Sequence, residues 1–282
     1  MKKTIYELEY KALKATVDTA EGMNVIGISF NGRNIITCDE KRKENGATYA
    51  IPVLFPTPNR VKGNSYVFEG RKVEGMMHGF LRHESFHVDS ASISGIKAST
   101  LTDGTEPTFP YKAEIRIGIK LEASSIIWNF DIKNFDTCNF AYSLALHPFF
   151  SKEKMESIHA NVRKRMLNDD DKIPTGETVD ADPIDMKASL VDMDTVFIVD
   201  TPLSAGIRYE DFSIDMSASE GFRHAVVYSS PDRDFLCIEP QTGSTDAHNL
   251  HSRGYEEEAG LIIVKPGEIS SNHFRMDFKG RK

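Results

Sequence analysis

The sequence predicts an all-β fold of antiparallel strands, a sandwich or a barrel, on three observations. Apolar and polar residues alternate with period two along most of the chain. Clusters of Asn, Asp, Gly, Pro and Ser punctuate the alternating runs, and helical periodicity is nearly absent. The clearest run sets Ile115, Ile117, Ile119 and Leu121 against Arg116, Gly118 and Lys120, giving one buried and one wet face. Residues 126–132, 141–146, 225–228, 235–239, 261–265 and 273–278 read as further strands. Turn signals at Asn64, Thr102-Asp103-Gly104, Asn134, Pro231-Asp232 and Pro266-Gly267 separate them. Residues 151–157 read as one short helix. The acidic stretch 168–186, with Asp169, Asp170, Asp171, Glu177, Asp180, Asp182 and Asp185, reads as a solvated loop between strands. Its three consecutive aspartates lack the alternating spacing of a calcium loop. There is no composition shift, linker or repeat, so one domain over 1–282 is expected.

Composition narrows the function classes. The 282 residues are 40% hydrophobic and 27% charged, ordinary for a globular protein with a sizeable core. A net charge of −8 argues against broad binding to nucleic acid or to an anionic membrane. Cys38, Cys138 and Cys237 form neither a disulfide framework nor a Cys-x-x-Cys metal site. The start of the chain carries lysines but no apolar stretch behind them, and no run is long enough to span a bilayer. The expectation is a cytoplasmic protein with reduced thiols. Neither a Gly-x-Gly-x-x-Gly nor a Walker lysine pattern occurs, so no nucleotide cofactor is expected; a serine nucleophile elbow is also missing.

Two segments point to acid–base chemistry. Glu239, in Cys237-Ile238-Glu239-Pro240-Gln241-Thr242-Gly243, and His147, in Leu146-His147-Pro148-Phe149-Phe150, each end an apolar run and are followed by proline, which removes a donor and is expected to stop the strand. A partly desolvated carboxylate there is a better base, or else it pairs with a neighbouring cation. His147 is either a hydrogen-bonded structural histidine or a general acid. His78 precedes Gly79, which permits close approach of a ligand or simply makes a turn. His83 and His87 follow, but Phe86 and Val88 suit a strand rather than a helical zinc pair, and no metal site is expected. Asn59 and Arg60 end a proline-stiffened stretch suited to polar oxygens, or a surface turn. Asp194 could accept from two vicinal hydroxyls, or merely start a strand.

Taken together, five stretches in order resemble the aldose 1-epimerase (galactose mutarotase-like) family. They are Pro52 through Arg60, Met77-His78-Gly79-Phe80, Leu146 through Phe150, Asp194-Thr195-Val196-Phe197, and Cys237 through Gly243, with a closing Lys265-Pro266-Gly267-Glu268. The resemblance covers most of the chain. It implies an antiparallel β-supersandwich with a cleft on a concave face, a small-molecule sugar as partner, and no cofactor. It also implies roles: Glu239 as general base on the anomeric hydroxyl, His147 as general acid on the ring oxygen, and His78 as a hydrogen-bonding group near that oxygen. Arg60 and Asp194 would bind sugar hydroxyls. Phe86 stands near where family members often carry a tryptophan. Arg82 follows the His-Gly-Phe stretch as in hexose-6-phosphate 1-epimerases, and would read a phosphate or pair with Glu84 or Glu74. The expected activity is interconversion of the anomers of an aldohexose. The alternatives are a hexose-6-phosphate 1-epimerase and a non-catalytic carbohydrate-binding protein.

Overall fold

The computed structural model describes residues 3–281. Two large antiparallel sheets close on one apolar core, the supersandwich arrangement. The nine-stranded sheet runs Ile184–Lys187, Met155–Ala160, Ser204–Tyr209, Phe212–Ala218, Ile269–Gly280, Ser125–Asn134, Lys112–Leu121, Gly95–Asp103 and His87–Ser92. The second runs Pro174–Asp180, Val162–Asn168, Met193–Val199, His224–Ser229, Phe235–Gln241, Ala145–Leu146 and Val53–Leu54, with Phe150–Ser151 also pairing Phe235–Gln241. A four-stranded sheet, from Ile5–Tyr10 to Arg33–Asn34, packs on the same core. No helix among the described residues is long and apolar enough to cross a membrane.

The alternation read from the sequence is the register of the core. Ile115, Ile117, Ile119 and Leu121 stand opposite Ile132, Phe130, Trp128 and Ile126, all buried. Trp128, the single tryptophan, lies between Ile119 and Phe274 and is fully buried, so it offers no platform to a sugar. The run 141–146 divides into Phe140–Tyr142 and Ala145–Leu146. The first pairs Ile262–Val264, and the second pairs Phe235–Gln241 and Val53–Leu54.

Three expectations are corrected. Residues 151–157 form no helix: a turn follows Phe150–Ser151, and Met155–Ala160 is a strand. Pairing with Ser204–Tyr209 on one side and Ile184–Lys187 on the other overrides local propensity. The acidic stretch 168–186 is no simple loop, since it holds Pro174–Asp180 and most of Ile184–Lys187, the outermost strands of the two sheets. Edge strands tolerate charge and are protected by it. Pro240 does not stop its strand, which continues to Gln241. On the side away from His224–Ser229, residues 235 and 236 pair with 151 and 150, and 241 pairs with 145. Thr242 N donates to Leu144 O on that side (2.8 Å). By the two-residue period Pro240 faces the same side, inside the unpaired gap, where its missing donor costs nothing.

Two buried histidines tie the C-terminal helices to the sheets. The His224 ring bonds Glu258 O through Nε2 (2.9 Å), and His248 bonds Ala141 O (3.1 Å) while stacking on Tyr66. Burial pushes both down from 6.5 to about 4. A depressed pKa contributes stability above pH 6.5 that is lost as pH falls through the folded value, at about 1.4 kcal/mol per pH unit per histidine. Melting midpoints should therefore drop steadily from pH 6.5 to about 4. His248→Gln, which keeps a donor for Ala141 O, should remove one proton's worth of that slope. Midpoints that stay level across this interval would contradict the account.

Candidate active site

The site begins with the strand Phe235–Gln241. Leu236 and Ile238 point into the main core, so Cys237, Glu239 and Gln241 share the opposite face. Register places Asp194, Tyr228 and Cys237 in one row across three neighbouring strands, with Glu239 one step along. The gap beside residues 237–240 is where the chain from Leu146 to Phe150 passes. It is anchored there by His147 N donating to Pro52 O (3.2 Å) and Phe149 N to Ala50 O (2.9 Å). His147 consequently enters the face of the strand it borders.

Opposite stands a rigid clasp. Asn59 and His78 both hold left-handed backbone, φ 61° and 67°, conformations rare for side-chain-bearing residues. They hold one another there: His78 N donates to Asn59 O (2.9 Å), and Asn59 N donates to His78 Nδ1 (3.2 Å). Because Nδ1 accepts, the neutral ring carries its proton on Nε2 and is a donor there. Burial, with Arg82 and Arg60 nearby, pushes His78 down to about 3, so it works as a neutral ring. Gly79 follows at φ +68°. A Cβ there would lie 1.9 Å from Phe55 O, so only glycine lets the two segments touch.

The two facing groups are His147 and Glu239, with Nε2 and Oε1 3.3 Å apart and side chains 6% and 2% exposed. Desolvation pushes the Glu239 carboxyl well up and, with His78 and Arg42 nearby, the His147 imidazole well down. Gln241 Nε2 donates to Glu239 Oε2 (3.2 Å), while Asn59 Nδ2 donates to Gln241 Oε1 (3.3 Å) and Thr245 Oγ1 (2.9 Å). The His147 ring stacks on Phe149 at 4.5 Å and 8°. Ligand atoms of His147, Cys237 and Glu239 all lie within 4.8 Å of one another. Burial pushes the Cys237 thiol up as well, so a cation entering there would have to displace protons from both sulfur and carboxyl.

Six of the seven residues singled out from the sequence line this cleft of about 160 Å³: Asn59, Arg60, His78, His147, Asp194 and Glu239. Asp194 is exposed at the rim, 3.8 Å from Lys172 Nζ. Arg82 does not line it; its guanidinium donates to Gly46 O (3.0 Å). Lys62 pairs with Asp169, and Arg71 lies over Tyr111, both outside the lining. Sequence reasoning missed Arg42, Thr48, Met77 and Tyr228, which also line the cleft, and Gln241 as the partner of Glu239. Gln241 was open to discovery, since two residues from Glu239 on a strand means the same face. A larger hollow of about 580 Å³ on the wet face of the nine-stranded sheet, near Lys97 and Arg116, carries only exposed titratable groups. Volume is therefore a poorer guide here than buried acid–base groups.

Comparison with known proteins bears on the fold and the family. The sequence model of aldose 1-epimerase matches residues 13–277. No curated protein matches the chain significantly. Among solved structures, a galactose mutarotase-like protein from Clostridium acetobutylicum superposes with a TM-score of 0.86 at 16% identity, covering 98% of this chain and 95% of that one. A galactose mutarotase related enzyme from Lactobacillus acidophilus gives 0.80 at 18% identity, covering 99% and 100%. An aldose epimerase homologue from C. elegans gives 0.80 at 15%, covering 99% of each. These likenesses are likenesses of fold. The chain belongs to the aldose 1-epimerase family, whose members are isomerases.

The clasp supplies a test. Gly79→Ala should lower the melting midpoint by several degrees, because the methyl must displace the Phe55 backbone at a strained φ. Any folded fraction should lose sugar-dependent activity disproportionately, since His78 moves with it. A Gly79→Ala variant as stable and active as the parent would show that the contact is not required.

Proposed function

We propose that the chain is an aldose 1-epimerase that interconverts the α and β anomers of an aldose, with Glu239 and His147 as the acid–base pair. The observation that carries this reading is the 3.3 Å contact between a buried imidazole and a buried carboxyl at the base of a polar cleft. Hydrolysis of a glycoside usually uses two placed carboxyls, and a purely binding sandwich needs no such pair.

The chemistry follows from where burial drives the protons. The pair shares one proton, and desolvation favours the uncharged form, protonated Glu239 facing neutral His147. Transfer across the contact gives a carboxylate and an imidazolium, the reactive arrangement. Glu239 then takes the proton from the anomeric hydroxyl, C1=O forms, the C1–O5 bond breaks, and His147 protonates O5. Both groups finish neutral, the state burial prefers, so desolvation favours ring opening over persistence of the ion pair. Rotation about C1–C2 turns the other face of the aldehyde to O5. Closure reverses each transfer: His147 takes the O5 proton while Glu239 returns one to O1. His78 Nε2–H donates to a sugar oxygen during the open-chain stage, and Arg60 and Asp194 bind hydroxyls. Asn59 acts through Gln241, which aims Glu239. No electrons are transferred to or from the sugar.

The test is mutarotation followed by polarimetry or proton NMR, starting from freshly dissolved α-D-glucose and α-D-galactose. Glu239→Gln should lower kcat about 10²–10⁴-fold, the usual contribution of one positioned proton-transfer group, with the fold retained. The pH profile should be broad, its acid limb set by the lowered His147 and its basic limb by the raised Glu239. In Glu239→Gln the basic limb should no longer follow Glu239 and should move down to the pH at which His147 loses its proton. Full activity in that variant would refute the assignment.

A further inference from the structure

The cleft holds more positive charge than a neutral sugar calls for. Arg42 and Arg60 both line it, and neither guanidinium pairs with a carboxylate among the described residues. The two carboxyl groups of the cleft are otherwise engaged: Asp194 lies 3.8 Å from Lys172, and Glu239 faces His147. The overall charge of the chain is −8, so this is a cationic hollow in an acidic protein.

Arg42 is held as a reader of anions would be. It belongs to the short helix Glu40–Glu44, whose N-cap, Asp39, accepts from Lys41 N (2.9 Å) and Arg42 N (3.2 Å). Its Nε–H donates to Thr48 O at 2.7 Å. The guanidinium carbon stands 4.8 Å from the Phe149 ring centre and 5.6 Å from that of Phe235. The plane is therefore pinned while both terminal NH2 groups have no partner among the described residues. A planar guanidinium presenting free donors is matched to the paired oxygens of a carboxylate or phosphate. Phe149 is also the ring on which His147 stacks, so Arg42 is one phenyl group away from the acid–base pair. Both border the same cleft of about 160 Å³, so one sugar-sized ligand touches both.

We infer that Arg42, with Arg60, forms an anion subsite, and that the aldose turned over here carries a negatively charged group, a phosphate ester or a carboxylate, away from its anomeric carbon. This rests on the epimerase reading above and assigns the charge recognition to Arg42, not to Arg82, whose guanidinium is turned to Gly46 O.

The experiment compares glucose 6-phosphate, glucuronate and glucose. Mutarotation rates are measured with the parent protein, Arg42→Gln and Arg42→Lys. Calorimetric binding is measured for the parent, Glu239→Gln, and the Glu239→Gln/Arg42→Gln double variant. The parent should favour a charged sugar in kcat/KM by about tenfold or more, and the better of the two charged sugars identifies the group. Arg42→Gln should lower kcat/KM for that sugar about 10- to 100-fold more than for glucose, the usual effect of losing hydrogen bonds to a charged group. Arg42→Lys should fall between, because it keeps the charge and loses the fork. The KM for the charged sugar should rise with salt. Equal use of glucose and both charged sugars, or equal losses for all three in Arg42→Gln, would overturn the subsite. If no sugar is turned over, the epimerase reading fails separately. Calorimetry then decides: charged-sugar binding lost with Arg42 upholds the subsite, and its absence in the parent overturns it.

Discussion

An imidazole and a carboxyl facing each other at 3.3 Å, both almost out of water, are the contact on which the rest of the structure depends. Neither group is comfortable there. Burial disfavours the imidazolium and the carboxylate alike, and their attraction offsets that cost only if geometry and remaining hydrogen bonds are good. The protein supplies a hydrogen bond to the carboxyl and a stacked ring against the imidazole, whose buried Nδ1 has no hydrogen-bond partner among the described residues. Gln241 donates to the second oxygen of Glu239, Asn59 orients Gln241 while held by Thr245, and Phe149 fixes the plane of His147. The unpaired stretch beside residues 237–240 exists because His147 has to pass there, and Pro240 is tolerated in mid-sheet because it points into that opening.

The surrounding backbone is strained beside the proposed acid–base pair. Asn59, His78 and Gly79 all hold positive φ, and each of the first two bonds the other. Strain of about 1–3 kcal/mol per residue persists only when the neighbourhood over-determines it. Here Thr57 Oγ1 donates to Met76 O and Ser143 N to Pro56 O, tying both loops to the sheet core. The consequence is a tautomer set before any ligand arrives: Nδ1 of His78 accepts, so Nε2 must donate. Such preorganisation removes reorganisation cost from the reaction coordinate.

Charge is divided in the same manner. The acidic residues of 168–186 lie largely on or beside exposed edge strands, where they keep the sheets from pairing with other chains. Arg42 and Arg60, which pair with no carboxylate among the described residues, are gathered at the cleft. Steering toward a cationic cleft is strongest for anionic ligands and fades with salt, a different role from the surface pairs such as Lys62–Asp169.

Much of this could be read from the chain alone, and for a physical reason. Alternation such as Ile115, Ile117, Ile119 and Leu121 is a local signal, because side chains two apart share a face whatever the rest of the fold does. Glu239 and His147 stood out because polar groups ending apolar runs are exceptional wherever they occur, and the order of the five motifs identified the family. What only tertiary structure decided involves partners distant in sequence. Met155–Ala160 became a strand because Ser204–Tyr209 and Ile184–Lys187 were there to pair with it. The acidic run became edge strands because two sheets ended beside it. Arg42 sits among charged residues with no apolar pattern around it, and reaches the cleft only because Thr48 O, Phe149 and Phe235 converge on its guanidinium. Tyr228 joined the site through register with Asp194 and Cys237. Local periodicity is set within a few residues and is written in the sequence; which faces meet is set by long-range packing, and only the folded chain contains it.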